Sequence, residues 1–181
     1  MSNAIFKVPE PINEIVKSYG PSSSERNSLL AKYREFKDRS PIDIPMYIGA
    51  NKVTTANKKP LTMPHDHQHI LGYFNQGDAT HVAAAIEAAL AAKAAWAALP
   101  WQDRAAVFLR AADLLAGPFR DRMNAATMLA QSKNVFQAEI DAACEMIDFF
   151  KKEKNFLASK ARKLMSKKKI NHIKLFLMPR C

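Results

Sequence analysis

One carboxylate in the segment 131–150 constrains the fold of this chain more than any other feature. The segment reads QSKNVFQAEIDAACEMIDFF, and its spacing predicts a helix opened by a Ser132 or Asn134 cap. At about 100° per residue, Glu139 lies within about 60° of five apolar residues and opposite the polar ones. The apolar arc consists of Val135, Ala142, Ala143, Met146 and Phe150, and the polar side consists of Gln137, Asp141, Glu145 and Asp148.

Glu139 therefore points towards the side of the helix that should be buried. A buried, ionised carboxylate is unfavourable unless a cation lies beside it. The cation could be an Arg or Lys on a neighbouring element, which would make a structural ion pair, or it could be part of a ligand. The helical pattern leaves both alternatives open.

The excess of positive charge in this chain lies wholly in its last 31 residues. The whole sequence has a formal net charge of +10, but residues 151–181 hold 11 of the 27 Lys and Arg and only one of the 17 Asp and Glu. Residues 1–150 thus carry equal numbers of both signs. Two regions of different composition meet near residue 150. At 181 residues the whole chain is long enough to form one domain.

The two cysteines and the first twenty residues indicate in which cellular compartment the protein is expected. Cys144 lies within a predicted helix and Cys181 ends the chain, which gives no disulfide framework and suits a reducing compartment. Pro9, Pro11 and interspersed charges interrupt the first twenty residues, and no apolar run reaches the roughly 20 residues of a membrane span. We expect a cytoplasmic protein that does not span a membrane.

Three further regions have regular patterns. Helices are predicted over 11–19 and 24–39, the second with Ser24 as its cap. Short antiparallel strands are predicted around 42–74, where Pro45 and Pro60 would lie at edges or strand starts. Three more helices are predicted over the remaining stretch: from an Asp78 or Thr80 cap to Ala98, from Pro100 to Gly117, and from Phe119 to Ala130.

Larger apolar residues on these last helices are predicted to be buried. The helix ending at Ala98 is rich in alanine, and its larger side chains are Val82, Ile86, Leu90 and Trp96. The next helix has an inward face of Val107, Phe108, Ala111, Leu114 and Leu115.

Three alternating histidines raise the question of a metal site. His65, His67 and His69 could share one face of a strand, with Asp66 beside them. No Cys or Glu completes a tetrahedral set, and His and Asp clusters between strands are usually solvated turns. We expect no metal-binding residues.

Four motifs of residues 1–150 resemble one enzyme family. Residues 85–92 read AIEAALAA with Trp96 beyond, and residues 103–105 (DRA) precede AADLL at 111–115. Residues 64–67 read PHDH, and QSKN at 131–134 is followed by QAEIDAACE at 137–145. From about residue 5 to Phe150 the chain resembles the N-terminal part of 1-pyrroline-5-carboxylate dehydrogenases, a branch of the aldehyde dehydrogenase superfamily.

The resemblance implies a fold and a reaction. The fold would be the α/β fold of aldehyde dehydrogenases, present here only as an N-terminal fragment that is mostly α-helical with a few short antiparallel strands around 42–74. The intact, homo-oligomeric family enzyme oxidises L-glutamate γ-semialdehyde to glutamate with NAD in proline catabolism. A cysteine thiolate attacks the aldehyde, a hydride leaves for NAD, and a glutamate activates the water that releases product. Family members place a glutamate near the substrate's α-amino group at the position of Glu139, which makes Glu139 the candidate substrate-binding residue.

The catalytic parts of the family are not recognisable in this sequence. The family continues after the DFF segment with Arg-Phe-Asn and later supplies a Pro-Phe-Asn segment, a Gly-rich NAD loop, the base glutamate and the nucleophilic cysteine. Neither Cys144 nor Cys181 matches the nucleophile, and the five glycines contain no G-x-G-x-x-G spacing. We expect no catalytic and no cofactor-binding residue here, and a chain that is inactive by itself.

Two interpretations of the basic tail, residues 151–181, remain. In the first, the reading frame is lost near residue 150 and the tail is unrelated to the family. In the second, the chain is a non-enzymatic binding protein, and the lysines at 167–169 beside Ile170 and Ile173 contact nucleic acid or anionic surfaces non-specifically. Reading the DNA downstream of codon 150 in the other two frames would distinguish them.

Overall fold

The computed structural model describes residue 10 and residues 12–153, in which helices surround two small sheets. A π-helical turn over Glu139–Cys144 follows directly on the short α-helix Val135–Ala138. After this turn the chain is α-helical again over 145–153. The basic tail beyond residue 153 lies outside the described residues. In chain order the elements are α1 Ser24–Asp38, β1 Ile42–Ile44, β2 Met46–Ile48, β3 Asn51–Val53, β4 Lys58–Met63, β5 Asp66–Asn75, α2 Ala79–Ala98, α3 Trp101–Ala116, α4 Arg120–Gln131 and α5 Val135–Ala138.

The strands form a three-stranded sheet in the order β1-β5-β4 and a separate β2-β3 hairpin. Two of the three pairings are antiparallel, as expected, whereas β1 runs parallel to β5 with Ile42 opposite Gly72. A Cβ atom at Gly72 would lie 2.6 Å from the carbonyl oxygen of Ile42, so the close approach of β1 requires glycine there. Pro60 lies on the edge strand β4, as the sequence predicts.

Helix α4 links two apolar clusters. It contributes Ala125 and Leu129 to a cluster shared with α1 and the three-stranded sheet, and Met123 packs against a second cluster formed by α3 and the helix over 145–153. The first cluster contains Tyr19, Leu29, Phe36, Met63, Leu71, Ala125 and Leu129, and the second contains Ala112, Leu115 and Ile147. The central position of α4 determines which of its polar side chains become buried.

Most helix boundaries follow the capping residues of the sequence. Asp78 accepts hydrogen bonds from the backbone of α2, Asn134 caps α5, and Pro100 and Gly117 flank α3 on either side, so these boundaries follow the predicted signals. Helix α1 begins at Ser24 as predicted, but the residue that caps it is Ser23, whose side chain accepts from the Arg26 N–H, and not Ser24.

The predicted helix over 11–19 is wrong for the described part of that stretch, which has no regular secondary structure. Its backbone is bound instead by side chains from distant elements. The N–H of Lys17 donates to Glu139, and the carbonyl of Ile15 accepts from Arg120. These bonds use backbone groups that a helix would pair internally, so tertiary contacts override local propensity here.

Helix α2 packs chiefly on β2, and none of its residues is buried. The prediction that its large side chains are buried is wrong for this chain, since Val82, Ile86 and Leu90 are 55–61% exposed and Trp96 is 40% exposed. Val107 of α3 is likewise exposed. In the described residues no helix alone has the length and hydropathy to cross a membrane, and α2 and α3 reach that criterion only as a pair bent by 116°.

Candidate functional site

The carboxylate of Glu139 meets a buried arginine. Glu139 is 0% exposed and the Arg120 side chain is 2% exposed. The Arg120 Nε atom lies 3.1 and 3.2 Å from the two Glu139 carboxylate oxygens, and Nη2 donates to Oε1 as well. Helix α4 and the π-helical turn place the two residues side by side, so a charge-assisted, fully buried ion pair forms.

Three uncharged donors complete the surroundings of Glu139. The Lys17 N–H donates to Oε1 at 2.9 Å, whereas the Tyr19 hydroxyl and the Asn124 amide donate to Oε2 at 2.8 and 2.7 Å. Both carboxylate oxygens are thus occupied by internal partners. This is the ion-pair alternative that the helical pattern left open, and the substrate-contact role of Glu139 stays a prediction.

The donors keep Glu139 ionised despite its burial. Burial by itself raises the pKa of Glu139, but hydrogen bonds from Arg120, Lys17, Asn124 and Tyr19 outweigh it and hold that pKa at about 2. Burial opposes the charge of Arg120 too, whereas its bonds to Glu139 raise the Arg120 pKa. Both groups are charged across the physiological range.

The N-terminal segment is tied to this pair. The Arg120 Nη1 atom donates to Glu14 at 2.7 Å, and Nη2 donates to the carbonyl of Ile15 at 2.6 Å. Tyr19 adopts a left-handed backbone conformation (φ 50°), which is unfavourable for an aromatic residue, while its hydroxyl bonds both Glu139 and Asn124. The segment is therefore held by polar contacts to α4 and the π-helical turn.

The π-helical turn changes which residues face inward. The Glu145 N–H bonds the carbonyl of Ile140, five residues back, so one extra residue fits into the turn. Beyond it the buried face moves on by one position: Ile147 is 0% exposed, whereas Met146, predicted on the Glu139 side, is 41% exposed. The predicted arc is thus correct for Glu139 and Ala143 but wrong for Met146.

The same turn brings Cys144 towards Arg120. Its Sγ atom lies 3.2 Å from Arg120 Nη2 and 3.7 Å from Glu139 Oε1. Burial, together with the negative charge of Glu139, raises the pKa of Cys144 to about 11, so the thiol stays protonated at neutral pH. A protonated, buried thiol is a poor nucleophile. That this chain holds no catalytic residue stays a prediction.

A cleft of about 360 Å³ with both polar and apolar lining opens beside this network. Glu14 lies at the cleft and accepts hydrogen bonds from Arg120 and from Lys151 Nζ at 2.6 Å. Hydrogen bonds from Lys151 and Arg120 overcome the effect of burial and lower the pKa of Glu14. The cleft is lined by Asn13, Glu14, Cys144, Glu145, Asp148 and Lys152, among others.

The sequence did not identify the partners of Glu139. Arg120 and Asn124 are four residues apart and share one side of α4. A polar pair at that spacing on a packed helix is the sequence feature that could have indicated buried partners for Glu139. The helical pattern called for an Arg or Lys without specifying which, so only the tertiary structure selects Arg120.

The histidines of the predicted turn region make other contacts. His65 Nδ1 lies 2.6 Å from Ser132 Oγ, and His69 Nε2 lies 2.8 Å from the Lys37 carbonyl oxygen. Within residues 12–153 no three His, Cys, Asp or Glu side chains are grouped as metal ligands.

Two glycines of the described residues leave no room for a phosphate. A dinucleotide-binding loop needs glycines whose missing side chains leave such room. At Gly72 that space is filled by Ile42, and at Gly77 a Cβ atom would lie 2.9 Å from the Met46 sulfur, whereas a Cβ atom at Gly20 would meet no atom within 4 Å. That this chain contains no cofactor-binding residue stays a prediction.

Acid should weaken the Glu139 network. The pKa of Glu139 falls from an ordinary 4.5 to about 2 on folding, so the stabilisation is complete above pH 4.5 and is lost as the pH falls towards 2. We expect far-UV circular dichroism of the purified chain to show acid unfolding in this window. Glu139→Gln should remove the part of the acid sensitivity that this carboxylate causes, and an unchanged acid profile in that variant would contradict the assignment.

Comparison with known proteins identifies the family. The aldehyde dehydrogenase family model matches residues 52–176. The Delta-1-pyrroline-5-carboxylate dehydrogenase of Agaricus bisporus is 47% identical over 82% of this chain and 27% of that protein. The probable enzyme of that name from Schizosaccharomyces pombe is 41% identical over the same shares. The chain therefore spans only about 27% of the length of these relatives.

Solved structures agree with the sequence relatives. The Delta-pyrroline-5-carboxylate dehydrogenase of Mycobacterium tuberculosis, solved with NAD and cobalamin, has a TM-score of 0.83 and 47% identity, covering 92% of this chain and 30% of that one. The 1-pyrroline-5-carboxylate dehydrogenase from Thermus with bound NAD has a TM-score of 0.75 and 25% identity, covering 82% and 28%.

The predicted fold and resemblance are both confirmed. The family match continues to residue 176, beyond the boundary predicted at residue 150, and the division into 1–150 and 151–181 stays a prediction. The matched residues, the identity to the relatives and the shared fold together show that this chain is a member of the aldehyde dehydrogenase family.

Proposed function

We propose that this chain is the N-terminal portion of an NAD-dependent 1-pyrroline-5-carboxylate dehydrogenase that oxidises L-glutamate γ-semialdehyde to glutamate in proline catabolism. The observation that carries the proposal is the 47% identity to the Agaricus bisporus dehydrogenase over 82% of this chain. The intact enzyme is proposed to be a homo-oligomer. By itself the chain is proposed to be inactive, because neither Cys144 nor Cys181 matches the family's nucleophile and its glycines have no G-x-G-x-x-G spacing.

In this enzyme the chain would supply scaffold and, through Glu139, a candidate contact for the substrate. NAD accepts the hydride in family chemistry and would be held by the portion of the polypeptide outside this chain. Glu139 already has Arg120 as its cation, so a substrate ammonium would have to displace a neutral donor such as the Lys17 N–H or the Tyr19 hydroxyl. The two roles of Glu139 therefore predict different consequences of its substitution.

An activity measurement on two proteins tests the proposal. The first is the 181-residue chain alone, which we expect to form no NADH with glutamate semialdehyde above a no-protein control. The second, the restored enzyme, joins residues 1–150 to the remaining portion of the Mycobacterium tuberculosis relative, and we expect it to turn over. Turnover by the chain alone would refute its inactivity, and a folded restored enzyme without turnover would count against the proposed function.

The basic tail carries a second candidate function. Its excess of positive charge favours salt-sensitive binding to polyanions, because neutralised phosphates release counterions. Deleting residues 151–181 is expected to abolish retention on heparin while preserving the helical content of residues 1–150. Retention with an unchanged salt dependence would show that the tail is not the binding element.

The cytoplasmic location stays a prediction. Relatives from Dictyostelium discoideum and Bos taurus are described as mitochondrial. Imaging a fluorescent fusion of the chain beside a mitochondrial marker would decide between the two locations.

A further inference from the structure

Residues 12–18, here called the strap, lie across the Glu139 network without burying any of their own side chains. Ile12 and Ile15 are 82% and 80% exposed, so apolar packing contributes little to holding the strap in place. The next residue, Tyr19, is buried and belongs to the first apolar cluster. Among the described residues, the strap is therefore joined to the core through Tyr19 and otherwise held by polar contacts.

Two backbone N–H groups of the strap donate to carboxylates. The Glu14 N–H donates to Asp148 at 2.6 Å, and the Lys17 N–H donates to Glu139 Oε1 at 2.9 Å. Asp148 lies on the helix over 145–153 and Glu139 lies in the π-helical turn before it, so the strap is fastened at two points on one stretch of helix. Because only two residues separate Glu14 from Lys17, both bonds break when the segment lifts.

Opening of the strap leaves the buried ion pair intact. Glu139 loses the Lys17 N–H, which is a neutral donor, and two other neutral donors still bond its Oε2 atom. Arg120 gives up its bonds to Glu14 and to the Ile15 carbonyl but keeps its partner in the pair. Neither member of the buried pair loses its counter-ion, which is the change that would cost most. The strap can therefore open by local unfolding while the rest of the chain stays folded.

The cleft of about 360 Å³ leads to the oxygen that the strap covers. One wall of this cleft belongs to the strap and consists of Asn13, Glu14 and Val16. Cys144 also lines the cleft, and its Sγ atom lies 3.7 Å from Glu139 Oε1. Lifting the strap removes the first wall and frees the position on Oε1 that the Lys17 N–H had occupied. The open form thus connects the cleft to an acceptor of the Glu139 carboxylate.

We propose that the strap is a cover that opens about Tyr19, and that the open form offers Glu139 Oε1 to an ammonium group entering from the cleft. An ammonium has three N–H donors, one of which replaces the Lys17 N–H. Asp148 lines the same cleft and is released by the strap, so it supplies a second negative charge for the entering cation. The closed strap competes with the ammonium for one oxygen. That the ammonium belongs to the substrate rests on the proposed function, whereas the opening of the strap does not.

Amide hydrogen exchange measures the opening in the 181-residue chain itself. By residue-resolved NMR at neutral pH, we expect the Glu14 and Lys17 amides to share one protection factor, at least about a hundredfold below that of amides in the middle of α4. Asp148→Asn keeps the volume of the side chain but removes the charge from the bond with the Glu14 N–H. It should lower the protection of both amides by roughly threefold to tenfold. Asp141→Asn is the matched control, because Asp141 pairs with Lys133 outside the strap, and it should leave both amides unchanged.

These exchange results decide whether the strap opens by itself. A loss of protection at Lys17 as well as at Glu14 in Asp148→Asn, with α4 unchanged, supports opening as one unit. A change confined to Glu14, or the same response to Asp141→Asn, would overturn the proposal. Wild-type strap amides as well protected as those of α4 would overturn it too, because the strap would then open only when the whole chain unfolds.

L-Glutamate and glutarate, which differ only in the ammonium group, test the ligand in the restored enzyme. We expect saturating L-glutamate to lower the protection of the Lys17 amide at least about threefold, because it binds the open form, and glutarate at equal concentration and ionic strength to leave it unchanged. Higher protection with L-glutamate, or equal responses to the two compounds, would overturn the ammonium role. A restored enzyme without turnover would count against the proposed function, whereas a strap that does not open is detected in the chain alone, where no substrate is present.

Discussion

Replacing Arg120 by methionine is expected to lower the free energy of unfolding by about 3–5 kcal/mol, because the change leaves the Glu139 carboxylate buried without a cation. Methionine keeps much of the volume of the arginine stem, so the loss reports on charge more than on packing. The side chain of Arg120 also holds Glu14 and Ile15, and the N-terminal segment should detach at the same time. Urea unfolding followed by circular dichroism measures the loss of stability, and limited proteolysis measures the release of residues 12–19.

Two further variants distinguish the stability contributed by the ion pair from a general effect of losing an arginine. Arg34→Met, on the exposed side of α1, should change stability by less than about 0.5 kcal/mol. The double variant Arg120→Met with Glu139→Gln removes both charges and keeps an amide oxygen as acceptor for the neighbouring donors, so it should be more stable than Arg120→Met alone. A double variant less stable than Arg120→Met would show that the uncompensated carboxylate is not the cause of the loss.

The second large effect concerns Glu139→Gln in the restored enzyme. If Glu139 contacts the substrate ammonium, the variant should lose one charge-assisted hydrogen bond, worth roughly 1.5–3 kcal/mol or about 10- to 150-fold in kcat/KM for glutamate semialdehyde. The loss should come chiefly from a higher KM. An aldehyde of similar length without an amine should be oxidised almost as well as by the unmodified enzyme.

The structural pair predicts a different pattern for the same variant. A neutral amide at residue 139 leaves the buried guanidinium of Arg120 with Glu14 as its one remaining carboxylate among the described residues, so stability should fall and both aldehydes should be oxidised more slowly to the same degree. Parallel steady-state kinetics with the two aldehydes and a thermal melt distinguish the roles. Equal losses together with a lower Tm would exclude the substrate contact, whereas a loss confined to the amine-bearing aldehyde would confirm it.

The sequence alone determined the features that depend on local chemistry. Asp78, Pro100, Gly117 and Asn134 set helix boundaries because each acts on the few backbone groups next to it. The sequence also showed that Glu139 would be a carboxylate on the apolar side of its helix. This departure from the amphipathic pattern can be recognised from the helix alone, without knowing the positions of the other elements. The family resemblance rested on such local motifs, and the comparisons confirm it.

Only the tertiary structure decided the features that depend on contacts between distant residues. Arg120 became the partner of Glu139 because α4 lies between two apolar clusters and directs that side chain into the interior. Residues 12–19 do not form the predicted helix, because their backbone makes hydrogen bonds with this pair. Because of the π-helical turn, Ile147 lies on the buried face in place of Met146. Helical periodicity describes a single isolated element, whereas burial depends on neighbours, and this is why the large side chains of α2 were predicted to be buried but lie exposed in this portion of the fold.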